Sequence, residues 1–175
     1  SFLRTAELAP KIEQPYLFLG RIISHAEGRL GEITEKSASF ARANPRNYLG
    51  PFLHAKGLIA QMGPSPAVEL ADHGERLPKK SISLNPTFWE TEFELGVLLE
   101  GKKDFPTAAR HLERAIQLSP KTPAPHYRLA RVYDRLGKAE AAQAERAQHE
   151  KLTTEERAAI ENHAAGLKPL ELVVK

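Results

Sequence analysis

The feature that most constrains this chain is a period. The segment "TEFELGVLLEGKKDFPTAARHLERAIQLSP" is followed by "PHYRLARVYDRLGKAEAAQAERAQHEKL", and Leu95-Gly96 in the first stands 34 residues before Leu129-Ala130 in the second. An earlier copy, "PYLFLGRIISHAEGRLGEITEKSASFARANP", carries Leu19-Gly20, 76 residues before Leu95, which is two periods of 34 plus 8. Prolines give a second ruler. "RTAELAP", "SFARANP", "SISLNP" and "AIQLSP" end at Pro10, Pro45, Pro86 and Pro120, at spacings of 35, 41 and 34. The long interval holds "GPSP" at 63–66 and "HGERLPKK", where an irregular insert with an extra turn is expected. A unit this short cannot bury its own apolar face, so the copies must stack on one another.

Each period reads as helix, short joint, helix. In the clearest copy Phe93, Leu95, Val97, Leu98 and Leu99 belong to the first helix, and Gly101 to Asp104 make a polar joint. Phe105-Pro106 opens the second helix, since proline is tolerated in a first turn, and Ala108, Leu112, Ala115, Ile116 and Leu118 recur at helical spacing. Gly96, Ala108 and Ala115 are small where the two helices come closest. Composition agrees with many short helices. There are 24 Ala and 22 Leu against 8 Ile and 5 Val, yet also 13 Pro and 11 Gly, which a few long helices could not absorb.

The period, the Leu-Gly or Leu-Ala pair, the alanines of the second helix and the closing proline together resemble the tetratricopeptide repeat. The resemblance is strongest over 87–121, good for the first helix of 123–152, weaker over 13–45 and weakest over 47–86, where Leu53-His54 replaces Leu-Gly. It implies an all-α fold, a right-handed α-solenoid of antiparallel helix pairs with a C-terminal capping helix. The expected repeats are about 13–46, 47–86, 87–122 and 123–152. Residues 1–10 match only the tail of a second helix, so 1–12 is expected to be a partial repeat and the chain a slice of a longer array. Arg146 and His149 stand where small or apolar residues are expected. Residues 153–166 are expected to form a separate capping helix, opened by a capping box of Thr153 and Glu156 and stopped by Gly166. Residues 167–175 read as an extended tail.

By the same resemblance, such arrays bind a protein or extended peptide in a concave groove lined by first helices. The candidate lining residues are Leu17 and Arg21, then Tyr48, then Glu90, Phe93, Val97 and Glu100, then Tyr127, Arg131, Asp134 and Arg135, with Gln14, Ser24, Pro51 and Leu58 beside them. Aromatic and arginine side chains are the usual interface anchors. The lysine and asparagine set by which some arrays grip a chaperone's terminal carboxylate is absent, although Arg21 and Arg131 keep a positive charge. Trp89, in "NPTFWETEFEL", is expected to be a buried staple between the insert and the stack.

The residues point away from other classes. With no cysteine, thiolate metal sites, disulfide frameworks and cysteine nucleophiles are excluded. The net charge of +3 is spread along the chain, without the concentrated basic face that nucleic-acid binding needs. No apolar run reaches a membrane span. None of the seven histidines falls in an H-E-x-x-H frame, and no phosphate loop or G-x-S-x-G is present, so no catalysis and no cofactor or metal is expected. Two alternatives stay open. One is a structural or dimerising module of a larger enzyme or envelope protein, a homodimer included. The other is a metal or small-ligand site in the 63–80 insert, where Asp72, His73 and Glu75 cluster. The cytoplasm and the periplasm suit such an array equally.

Overall fold

The computed structural model describes residues 14–23, 28–62 and 68–166. They form eight helices: α1 (Gln14–Ile22), α2 (Leu30–Ala43), α3 (Leu49–Met62), α4 (Val68–Leu84), α5 (Trp89–Gly101), α6 (Phe105–Leu118), α7 (Pro123–Arg135) and α8 (Ala139–Gly166). No described residue lies in a strand. From α2 onward sequential helices pack antiparallel, while α1 packs chiefly on α3, and α1, α3, α5 and α7 touch in succession, so first helices line one side of an all-α solenoid.

The joints follow from local chemistry. The helices α2, α4 and α6 end at Ala43, Leu84 and Leu118, in each case two residues before Pro45, Pro86 and Pro120. The α6 start is capped by Asp104, whose side chain accepts from the Thr107 N–H at 3.3 Å while Pro106 occupies the first turn. Within the third pair Gly96 is obligatory, because a Cβ there would stand 2.7 Å from Leu112 Cγ. Leu95, Leu112, Leu129 and Val132 are fully enclosed around it, with Ala108 and Ala115 where α5 and α6 come closest.

Three expectations are corrected. The insert around "HGERLPKK" is no irregular loop: Val68–Leu84 is one helix that carries Pro78 in its interior. An interior proline costs an isolated helix about 3 kcal/mol, but Pro78 is fully buried. Tertiary packing outweighs the local penalty. Glu75, one turn earlier, binds Lys79 and reaches Lys102 at the end of α5. Second, no helix starts at Thr153. Its hydroxyl donates to the His149 carbonyl at 2.8 Å, one turn back in an unbroken helix, so the terminal helix is the second member of the fourth pair prolonged to Gly166. Third, the staple beside the clearest repeat is Phe88. Its ring meets Tyr48 and Phe52 edge-on at 4.9 and 5.0 Å and ties the entry of α5 to α3. Trp89 is half-buried beside Phe93, their ring centres 6.1 Å apart. The expected partial repeat 1–12 and tail 167–175 lie outside the described residues.

Candidate functional site

On α5 the burial pattern is nearly binary. Thr91, Glu92, Glu94, Leu95, Gly96, Leu98 and Leu99 are buried. Trp89, Glu90, Phe93, Val97 and Glu100 are half-buried. At about 100° per residue these five fall on one strip roughly 100° wide. On α7 the exposed residues Ala124, Tyr127, Arg131, Asp134 and Arg135 make a second strip of the same width. Eight of the expected lining residues therefore share two adjacent strips, on neighbouring helices.

An ion cluster joins the strips. Glu100, only 11% exposed, receives Arg128 Nη1 at 3.1 Å and Arg131 Nη2 at 3.2 Å. Arg131 also lies over the Tyr127 ring, 5.9 Å from its centre, an arrangement attractive through the ring's negative face. Tyr127 is 48% exposed, and its other neighbour is His149, ring to ring at 5.4 Å. His149 Nδ1 faces the Pro123 carbonyl at 3.1 Å, which can only accept, so this nitrogen carries the proton. Asp134 is bound by Arg146 of α8. Arg146 and His149, out of place in an apolar repeat pattern, thus serve the α7 strip from the next helix.

The lower part of the expected lining does not continue the strips. Pro51 is fully buried, and Tyr48 packs its ring on Phe88 while its carbonyl accepts from Ser81 Oγ at 2.9 Å. Tyr48 therefore belongs to the seam between α3, α4 and α5 and not to the groove. Leu17 is half-buried against the N-terminal core. The Arg21 side chain and Ser24 lie outside the described residues, as do the side chains of Asp72 and His73. Among the described residues no three His, Asp or Glu side chains gather as a metal cluster, and no helix is long and apolar enough to cross a membrane.

One pair of contacts escaped the sequence reading. Glu92 of α5 meets His111 of α6 at 2.7 Å, and His126 of α7 meets Glu145 of α8 at 2.6 Å. Positions 92 and 126, like 111 and 145, are one period of 34 apart, with the two residue types exchanged. Comparing each charged residue with the one a period later would have exposed the exchange. A search for motifs within one helix could not. A second missed link, between first helices, is the ion pair of Lys56 on α3 with Glu94 on α5.

Burial also fixes Tyr133. Desolvation, helped by its 2.8 Å hydrogen bond to the Glu113 carboxylate, pushes the phenol up to about 12 from 10.0. Glu75 is held below the ordinary carboxylate value by hydrogen bonds from Lys102 and then Lys79.

Residues 99–155, from the end of α5 into α8, match the family model for the tetratricopeptide repeat. No curated protein sequence matches the chain. Among solved structures, the chain is similar to TTC0263, a thermophilic tetratricopeptide-repeat protein of Thermus thermophilus, with a TM-score of 0.73 at 18% identity over 94% of this chain and 86% of that one. It is similar to MamA, with a TM-score of 0.66 at 12% identity over 90% and 87%. It is also similar to MamA from Desulfovibrio magneticus RS-1, with a TM-score of 0.63 at 12% identity over 86% and 80%. Residues 99–155 are tetratricopeptide sequence, and the array has the fold of such proteins.

Proposed function

We propose that this chain is a non-catalytic scaffold that binds a protein or an extended peptide along the strips of α5 and α7. The observation that carries the reading is the distribution of exposure on α5. The half-buried residues there are two aromatics, a valine and two glutamates on one contiguous strip, while the rest of the helix up to Leu99 is enclosed. Phe93 packs one side on the core and meets Trp89, and both rings keep a remainder open to water on this strip. Rigid aromatics in a shallow trough are what interface anchors look like.

The polar groups divide the trough by role. Glu100 is committed to Arg128 and Arg131, which preorganises both guanidinium groups at the apolar edge formed by Phe93 and Val97. A partner would place apolar side chains on α5 and carboxylate or backbone oxygens toward Arg131 and Arg135.

The test is a peptide-display selection against the folded chain, with affinities then measured by calorimetry. Phe93→Ala, and separately Tyr127→Ala with Arg131→Ala, should each weaken a selected peptide about tenfold or more while the chain stays folded, with a lower melt for Phe93→Ala because that ring also packs on the core. Peptides that bind with affinity indifferent to all three positions would overturn the groove.

A further inference from the structure

The α8 helix does not stop where the stack does. Every residue from Thr153 to Ala164 is exposed, and the 14 residues 153–166 extend it by about 21 Å at 1.5 Å per residue. A helix segment without a packed face gains little from propensity alone. This one also carries Ile160, 64% exposed, the most exposed large apolar side chain among the described residues. Glu156 and Glu161 flank Ile160, one turn before it and immediately after it. Over 153–166, Glu155, Glu156 and Glu161 against Arg157 leave a surplus of two negative charges.

The α7 strip is its complement. Tyr127, Arg131 and Arg135 stand at i, i+4 and i+8, one ridge along the helix. There Arg128 and Arg131 bind Glu100 and Arg146 binds Asp134, and with Arg135 on the same ridge four arginines stand against two carboxylates, a surplus of two positive charges. The ridge thus offers an exposed aromatic followed by two guanidinium groups. The extension offers an exposed aliphatic between two carboxylates. The two surfaces cannot meet in one copy. His149 already touches Tyr127, and the unbroken helix carries Ile160 about 16 Å further on.

We propose that the α8 extension of one copy docks on the α7 ridge of a second copy, Ile160 against Tyr127 and the Glu156 and Glu161 carboxylates toward Arg131 and Arg135. The inference rests on the reading of the α7 strip as a binding surface, and it commits to this chain itself as an occupant. The same end of the groove then serves self-association and partner binding in competition.

Sedimentation of the chain over a concentration series is the experiment. At low salt the mass should rise above the 19.4 kDa of one copy, and molar salt should return it toward that value because exposed charges are screened. Glu156→Arg with Glu161→Arg, and separately Arg131→Glu with Arg135→Glu, should each weaken association about tenfold or more. An equimolar mixture of the two variants should recover it, because a reversed tail then faces a reversed ridge. Ile160→Ser, at an exposed position, gives the same loss without touching the Glu100 cluster. A chain that stays monomeric to millimolar concentration at low salt would overturn the proposal. So would association indifferent to both charge reversals, or a mixture without recovery. A peptide selected on the α5 strip is the separate control. If it binds the Glu156→Arg, Glu161→Arg variant as it binds the parent while neither associates, self-docking fails and the groove stands. If no peptide binds, the groove reading fails by itself.

Discussion

The two halves of the array place their tightest helix contact differently. In the C-terminal half it lies within a pair: α5 closes on α6 through Gly96, where a Cβ would stand 2.7 and 2.9 Å from Leu112 Cγ and Cδ2. In the N-terminal half it lies between pairs. There α3 closes on α2, the helix before it, through Gly50 against the Ala41 backbone and Gly57 against Thr34. The glycines have moved along α3 from the position of His54, which takes the place of Gly96, and that turns the close-approach face by about 40–60°. A repeat that loses its Leu-Gly pair can thus keep the stack by packing more tightly on its predecessor and less on its own second helix.

That comparison can be broken by mutation. The largest effect is expected for Leu112→Ala, which empties a fully enclosed site at the α5–α6 contact and should cost about 2–5 kcal/mol in chemical denaturation. Gly50→Ala comes next, at about 1–3 kcal/mol, because its Cβ would meet Ala41 Cα at 2.7 Å, and backbone cannot step aside. Hydrogen exchange should localise the two. Gly50→Ala should speed exchange in α2 and α3 together, and Leu112→Ala in α5 and α6. If Gly50→Ala loosened α3 with α4 and left α2 protected, the contrast between the halves would be wrong. Gly31→Ala is the control. Nothing lies within 4 Å of its Cβ, and the change should be neutral or stabilise by up to about 1 kcal/mol.

Smaller effects come from titrating groups at the seams. Glu75 has a depressed value in the folded state, so its contribution is present above the ordinary 4.5 and is lost as pH falls through the folded value. Glu75→Gln should lower stability by about 0.5–1 kcal/mol at neutral pH and by progressively less in acid, a trend that melts at several pH values will show. Tyr133 runs the other way. Its raised value stabilises the fold at and below pH 10, and the contribution fades between 10 and about 12. Tyr133 should ionise near 12 in ultraviolet titration, and Tyr133→Phe should remove that step.

Much of this architecture was legible in the residues. The prolines marked the ends of α2, α4 and α6 because a proline stops a helix where no packing repays the lost hydrogen bond. Gly96 announced a close contact because nothing else fits there. The α5 and α7 strips could be named because they are what remains of a helix once its core positions are assigned. What escaped depends on tertiary packing. Pro78 is a breaker by local rules and a buried helix residue in fact. Thr153 is a good cap that never caps, because the helix before it has reason to continue. Tyr48 was drawn to the groove by its place in the repeat and taken from it by Phe88, whose ring needed a partner.

The exchanged pairs carry one more consequence. Consecutive repeats built to one plan are at risk of swapping helices, since any first helix resembles any other. Here a mismatched hairpin of α5 with α8 would set Glu92 against Glu145, and one of α7 with α6 would set His126 against His111. Two carboxylates brought together in a part-buried seam repel each other and lose their histidine partners, and two imidazoles offer no carboxylate to share a proton with. Spelling the same contact in opposite order in neighbouring units gives each helix an address, so that units similar enough to stack are different enough not to be confused while the chain is folding.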